Sequence, residues 1–424
     1  MKANYIKYLS SKFCASKGMS LIMKNKKRFV LFSVVLATVM FYGIFILFFR
    51  TSLTVYSADR FYDPGQEHGF ASQDGVYHTE GSGFLYFFDY NTQQDVIVCN
   101  KPNCPHKTWN SDTLDEQRCN AYLNGSSSGF VYDDSLYILN VNMPQQNVAI
   151  IRSGLDRTGR REIAKFDCYL ILPYLVRDQF LYMTGQFMCM EKDDDGMEIP
   201  SGEFESWLFQ LDLRTGAVNI LTERRKHYNG GLFIIGYYGD KIYCKEEFFE
   251  VKFDGTNFEE AKRQVVFYTY DVSTSLFEPL FNSLGRHAFE DACLYGNKMI
   301  GTESFDLEWN NNSYVFRNTQ VTICDLDTGE IRQLATVHRF ICCVDGKIFY
   351  ALEREKDEYY FYDIESGIIT ELSQMTMDNI HIRGDYGNYL CVIKTDTITR
   401  IGKIYMILKE DFYKGRDKYI PLVF

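Results

Sequence analysis

Proline and tryptophan are scarce in this chain: 8 and 3 residues respectively among 424. So little proline argues against a long disordered stalk. The familiar catalytic signatures are missing as well. There is no Walker loop, no HExxH and no sialidase-type Asp-box, and the histidines outside one short stretch form no spaced pair. "GSSSG" (125–129) matches a nucleophile elbow only formally. It lacks a following helix, and it reads as a flexible loop. Residues 1–50 contain no Asp or Glu but hold nine of the 45 Lys and Arg, so that 36 basic residues face 56 acidic ones in the remaining 374, a balance of −20. That surface repels nucleic acid and anionic polymers. No nucleic-acid partner is expected, and the candidates that remain are a protein or glycan ligand.

Phe29–Phe49 is an uncharged run, "FVLFSVVLATVMFYGIFILFF", of 21 residues. As a helix it reaches roughly 30 Å, the thickness of a bilayer core. Lys24, Lys26, Lys27 and Arg28 precede it, and Arg50 follows. The positive-inside rule sets the N-terminus in the cytoplasm and the rest outside. A cleaved signal peptide would have a shorter apolar core and a small-x-small site. The expected organisation is therefore a cytoplasmic segment (1–28), a transmembrane helix (29–49), a linker (50–66) and an extracytoplasmic ectodomain (67–424). The protein is expected in the cell membrane as a single-pass anchor.

The ectodomain is repetitive. Apolar runs end in Asp-x-x-Thr/Ser-Gly or a variant, followed by a second apolar run. The aspartates are Asp89, Asp156, Asp212, Asp271, Asp325, Asp363 and Asp411, and the first, fourth and seventh copies are degenerate. In such a turn Asp accepts hydrogen bonds from the backbone just ahead of it, and Gly supplies the positive φ. A second tight turn precedes each copy, as in "GDKIYC" (239–244) and "DGKIFYAL" (345–352). The two hairpins make a four-stranded unit, whose strands are called A to D. Seven units of roughly 40–65 residues predict an all-β fold, a β-propeller of seven four-stranded blades, with six or eight as alternatives. Tyr (31) and Phe (34) are abundant, as strands favour. Long insertions at 184–206, 245–263 and 99–129 are expected on one face, where a ligand or protein partner would bind.

The most distinctive stretch is "VCNKPNCPH" (98–106). With Cys119 it gives the spacing C-x4-C-x-H-x12-C. Cys99, Cys104, His106 and Cys119 form a candidate structural zinc site of the Cys3His type, or two of the cysteines form a disulfide, or all stay free thiols. A catalytic zinc is disfavoured, since every protein ligand would already be in use. The other ectodomain cysteines, among them Cys293, Cys342 and Cys343, read as small buried hydrophobes. "EKDDDGMEI" (191–199) begins like a calcium loop but has Gly202 where the closing Glu belongs.

The Asp-x-x-Thr-Gly turns resemble those of TolB-like and quinoprotein-like propellers. The stretch Cys99-x-Lys101-Pro102-x-Cys104-x-His106, followed by Cys119-x-Ala121, is similar to one in uncharacterised membrane-anchored extracytoplasmic propeller proteins of anaerobic Firmicutes, classed as a domain of unknown function. The resemblance spans about residue 28 to the end and implies location and fold, with no activity. The Trp signatures of quinoprotein blades are absent, so no quinone cofactor is implied. The function expected is ligand or partner binding without evident catalysis. The alternatives are an extracytoplasmic enzyme acting on glycans or peptides, with a site assembled from several blades, and an envelope scaffold.

Overall fold

The computed structural model describes residues 60–422, apart from 63–68, 80–82, 109–112, 115–116, 124–125, 143–145, 194, 253–262, 281–290, 311–312, 353–357, 373–379 and 397–400. The transmembrane segment at 29–49 lies outside the described residues. Among those described, no helix is long and apolar enough to cross a membrane.

The protein is all-β. Its strands follow the chain in antiparallel groups of four, each group taken from one contiguous segment. The first runs Gly69–Ala71, Gly75–Thr79, Leu85–Asp89 and Asp95–Ile97. The A strands of the later groups are Ser126–Tyr132, Tyr169–Arg177, Arg225–Tyr238, Asp291–Tyr295, Arg339–Val344 and Ile380–Tyr386. These A strands pack on one another, the first against the second and also against the last. Side chains close the circuit. Ala71, Val76 and Phe88 share a core with Tyr386, Tyr389 and Met406. The Tyr386 hydroxyl accepts from Gly69 N–H at 2.9 Å and donates to Gly69 C=O at 3.2 Å. No single closed sheet is present among the described residues, and first and last groups share no strand.

The Asp turns form as the sequence predicts. Asp212 Oδ1 accepts from Arg214 N and Thr215 N at 2.8 and 3.1 Å, and Gly216 takes φ +76°. Asp325 does the same with Asp327 N and Thr328 N. Two of the degenerate copies keep this geometry without glycine, with Gln93 at φ 54° and Ser275 at φ 59°. The seventh copy departs from it. Around Asp411 a short helix, Lys409–Tyr413, replaces the turn. Asp411 there pairs with Arg416 at 3.0 Å and Lys418 at 3.3 Å.

Three expectations are corrected. The 184–206 insertion is not a loop, because strands Phe180–Lys192 and Glu198–Asp212 extend through most of it as one hairpin. The base of its outgoing strand pairs Glu203–Ser206 with Arg225–Tyr228, which merges the third and fourth groups into one sheet. The "GSSSG" stretch is not a flexible loop either, since Ser126–Gly129 pair with Leu139–Val141 and Ile138 of the neighbouring strand. Finally, the linker carries a strand: Arg60–Tyr62 pairs antiparallel with Tyr174–Val176 on the A strand of the third group. A comparable long hairpin, Lys298–Asn310 with Ser313–Asp325, leaves no mark in the sequence because polar and apolar residues mix along it.

Candidate metal centre and pocket

Cys99 and Cys104 leave the last strand of the first group and enter a turn, with Cys104 N–H donating to Lys101 C=O at 3.3 Å. Asn103 and His106 both take positive φ, 55° and 48°, which folds the chain back on itself. Cys119 returns on a segment anchored to the first group: Leu85 N–H donates to Ala121 C=O and Leu123 N–H to Gly83 C=O, both at 2.9 Å. The loop has a small apolar core of its own, Phe84, Cys119 and Ala121 with Tyr86, Ile97 and Tyr122 packed against it. Arg157, buried in a turn of the second group, reaches the Asn120 carbonyl at 3.3 Å, and Arg160 reaches the Asn120 amide oxygen at 2.9 Å. The segment thus bridges two neighbouring groups.

This folding brings the four sequence-selected residues together. One ligand atom each from Cys99, Cys104, His106 and Cys119 lies within 4.8 Å of all the others. Cys119 Sγ is 3.8 Å from Cys99 Sγ and 3.5 Å from His106 Nδ1. A tetrahedral ion with Zn–S of about 2.3 Å and Zn–N of about 2.0 Å needs ligand edges of about 3.8 and 3.5 Å. A disulfide would need about 2.05 Å between the sulfurs. Burial pushes the Cys119 thiol up to about 12. At Cys99 burial acts the same way but is outweighed by N–H donors from Lys101 and Asn120, which draw that thiol below its usual value. Such N–H donors to sulfur are the outer-shell partners that orient metal thiolates.

The calcium-like segment is spoken for. Asp193 Oδ1 accepts from Asp195 N at 3.0 Å and Met197 N at 2.8 Å, capping the hairpin tip. Glu191 pairs with Lys252 at 2.9 Å.

A pocket of about 330 Å³ opens among strands of the third to seventh groups. Its wall is largely apolar, with Ile234, Leu294, Phe340 and Ile382 among the lining residues. The charged lining residues are Lys245, Asp291, Arg383 and Asp385. Lys245 pairs with Asp291 at 3.0 Å, and Asp385 pairs with Lys409 at 2.6 Å. Cys293, Cys342 and Cys343 also line it, which amends their reading as plain core residues. Burial holds the Cys342 thiol up at about 12. It stays protonated at neutral pH and is a poor nucleophile. Spacing along the chain gave no sign of this pocket, because each strand contributes only a few residues to it.

No family model matches the chain, and no curated protein matches it. Similar solved structures include an oligogalacturonate lyase from Vibrio parahaemolyticus, 10% identical over 80% of this chain and 88% of that one, with a TM-score of 0.44. The β-propeller domain of the Trilobed protease from Pyrococcus furiosus is 11% identical over 80% of this chain and 93% of that one, with a TM-score of 0.42. An oligogalacturonate lyase in complex with manganese is 12% identical over 78% and 84%, with a TM-score of 0.40. At this level of likeness they say nothing of activity.

Proposed function

We propose that this chain is a membrane-tethered, extracytoplasmic propeller of seven blades that binds a ligand, and that a structural zinc ion closes its Cys99–Cys119 loop. The composition of the pocket carries the binding reading. It offers apolar walls, ion pairs already satisfied within the protein and a protonated thiol. The metal reading rests on the four-atom cluster, two of whose edges have the length of a tetrahedron's and whose ligands are all protein. With no fourth position left for water, such an ion holds structure and does no chemistry. The tether rests on the uncharged run at 29–49 and its basic flank. The acidic balance of the ectodomain favours a small ligand, a protein or a glycan over nucleic acid.

The test is metal analysis of the full chain purified under reducing conditions, with one equivalent of zinc expected. Cys104→Ser should lose it and Cys391→Ser should keep it. A Cys–Cys crosslink found after thiol blocking, with no metal, would install the disulfide instead. A reporter fused after Phe424 should be active only outside the membrane, and cytoplasmic activity would overturn the tether.

A further inference from the structure

The A strands of the fourth, sixth and seventh groups share an irregularity at one equivalent place. In the fourth, Ile234 pairs with Cys244 and Gly236 with Tyr243, which leaves Ile235 as an extra residue. In the sixth, Phe340 pairs with Tyr350 and Cys342 with Phe349, leaving Ile341. In the seventh, Ile382 pairs with Val392 and Gly384 with Cys391, leaving Arg383. Each is a one-residue bulge at the third position before the last paired residue of its strand. Bulges of this kind re-aim a side chain, and they gather near binding and active sites. The equivalent residues of the second, third and fifth groups are Gly129, Tyr174 and Ala292. Across six groups, then, this position is filled by an uncharged residue five times and by arginine once.

Arg383 lines the pocket. Its Nε is buried and has no hydrogen-bond partner. Among the described residues it makes no ion pair, whereas Lys245, Asp291 and Asp385, the other charged lining residues, each have an opposite charge at hand. A buried donor left unmade costs stability, and the packing of the blade does not account for such a donor at a position otherwise given to Gly, Ala, Ile or Tyr.

We infer that Arg383 is the anchor of a carboxylate-binding site, and that the pocket takes a small monocarboxylate with an apolar body, either a free acid or the C-terminal end of a peptide. The Nε–H and Nη–H edge of a guanidinium matches the two oxygens of a carboxylate. One uncompensated positive charge suits a monoanion, while a phosphate dianion would keep a charge unmatched in an apolar cavity. Ile234, Leu294, Phe340 and Ile382 then face the body of the ligand. The volume, about 330 Å³, lies at the small end of ligand pockets, which suits an acid of this size.

This inference rests on the reading of the pocket as a binding site, and the experiment separates the two. The full chain in detergent is titrated with benzoate and isovalerate, with benzamide and isovaleramide as neutral mimics, and with the tripeptide Ala-Ala-Phe bearing a free or an amidated C-terminus. Binding is read by ligand-observed NMR and by the shift in melting temperature. At least one free carboxylate should bind, and its amide should bind about 10- to 100-fold more weakly. Arg383→Leu should lose that preference while melting no lower than the parent, and Arg383→Lys should keep part of it. Preference for the small acids assigns a free acid, and preference for the tripeptide assigns a peptide end. Equal binding of acid and amide by the parent chain overturns the inference whether or not the variants fold. So does the lack of any saturable binding, or an undiminished preference in Arg383→Leu, and this last outcome leaves the binding reading standing. Consumption of a bound acid would overturn the binding reading and leave the Arg383 contact intact.

Discussion

Lys298 beside Asp325, together with the backbone N–H of Thr328, holds that carboxyl down at about 2. The backbone N–H of Thr92 and Ser366 likewise depress Asp89 and Asp363, the equivalent turn residues of other groups. A carboxylate whose folded value lies below its unfolded value stabilises the fold above the unfolded value, near 4. That contribution fades as pH falls from about 4 toward 2. Asp325→Asn retains an oxygen to accept from Asp327 N and Thr328 N but has no proton to take up. Its urea midpoint is expected to fall less than the parent's between pH 5 and pH 2.5, and equal falls would show that the carboxylate carries no acid sensitivity. These aspartates were legible in the sequence because the turn depends on neighbours within three residues. The clustering of Cys99, Cys104, His106 and Cys119 was legible for the same reason, since three of the four lie within eight residues. Arg383 was not. "HIRGDYGNY" reads as an ordinary strand end, and only the pairing of Ile382 with Val392 and Gly384 with Cys391 reveals the bulge.

At the scale of the element, the four-stranded unit was readable wherever its turns are tight. The degenerate copies show why a motif can fade while its shape persists. Gln93 and Ser275 occupy the left-handed region that Gly216 and Gly329 fill in better copies. An L-residue there costs roughly 1–2 kcal/mol, and glycine returns part of that gain as unfolded-state entropy. Gln93→Gly and Ser275→Gly should therefore each stabilise the protein by up to about 1 kcal/mol, read from denaturant midpoints. A loss of stability in either would mean that its side chain supports the turn. The seventh copy could not be read this way. Asp411 sits in a helix and balances Arg416 and Lys418, contacts that a turn motif does not describe. The long hairpins were also hidden, because strands that leave the core carry no strict alternation of buried and exposed residues. The merging of the third and fourth groups depends on Glu203 meeting Tyr228, a pairing between hairpins that no single repeat contains.

At the scale of the whole molecule, the first and last groups meet without a shared strand. Tyr386 makes two hydrogen bonds to Gly69, so Tyr386→Phe should cost about 1–2 kcal/mol. It should also raise hydrogen exchange in 69–97 ahead of the middle groups. Unchanged exchange there would show that packing of Phe88 on Tyr389 suffices to hold the seam. The seam is also a mechanical matter. A pull on the chain from its N-terminal side does not reach this junction first. It meets Arg60–Tyr62, laddered along Tyr174–Val176, and passes into the third group. Strands loaded along their length must break their ladder bonds together, in shear, before any tension passes on to residue 69. The short N-terminal strand thus acts as a strain relief, diverting load into the largest sheet of the molecule and away from the first group, whose junction with the last has no backbone ladder.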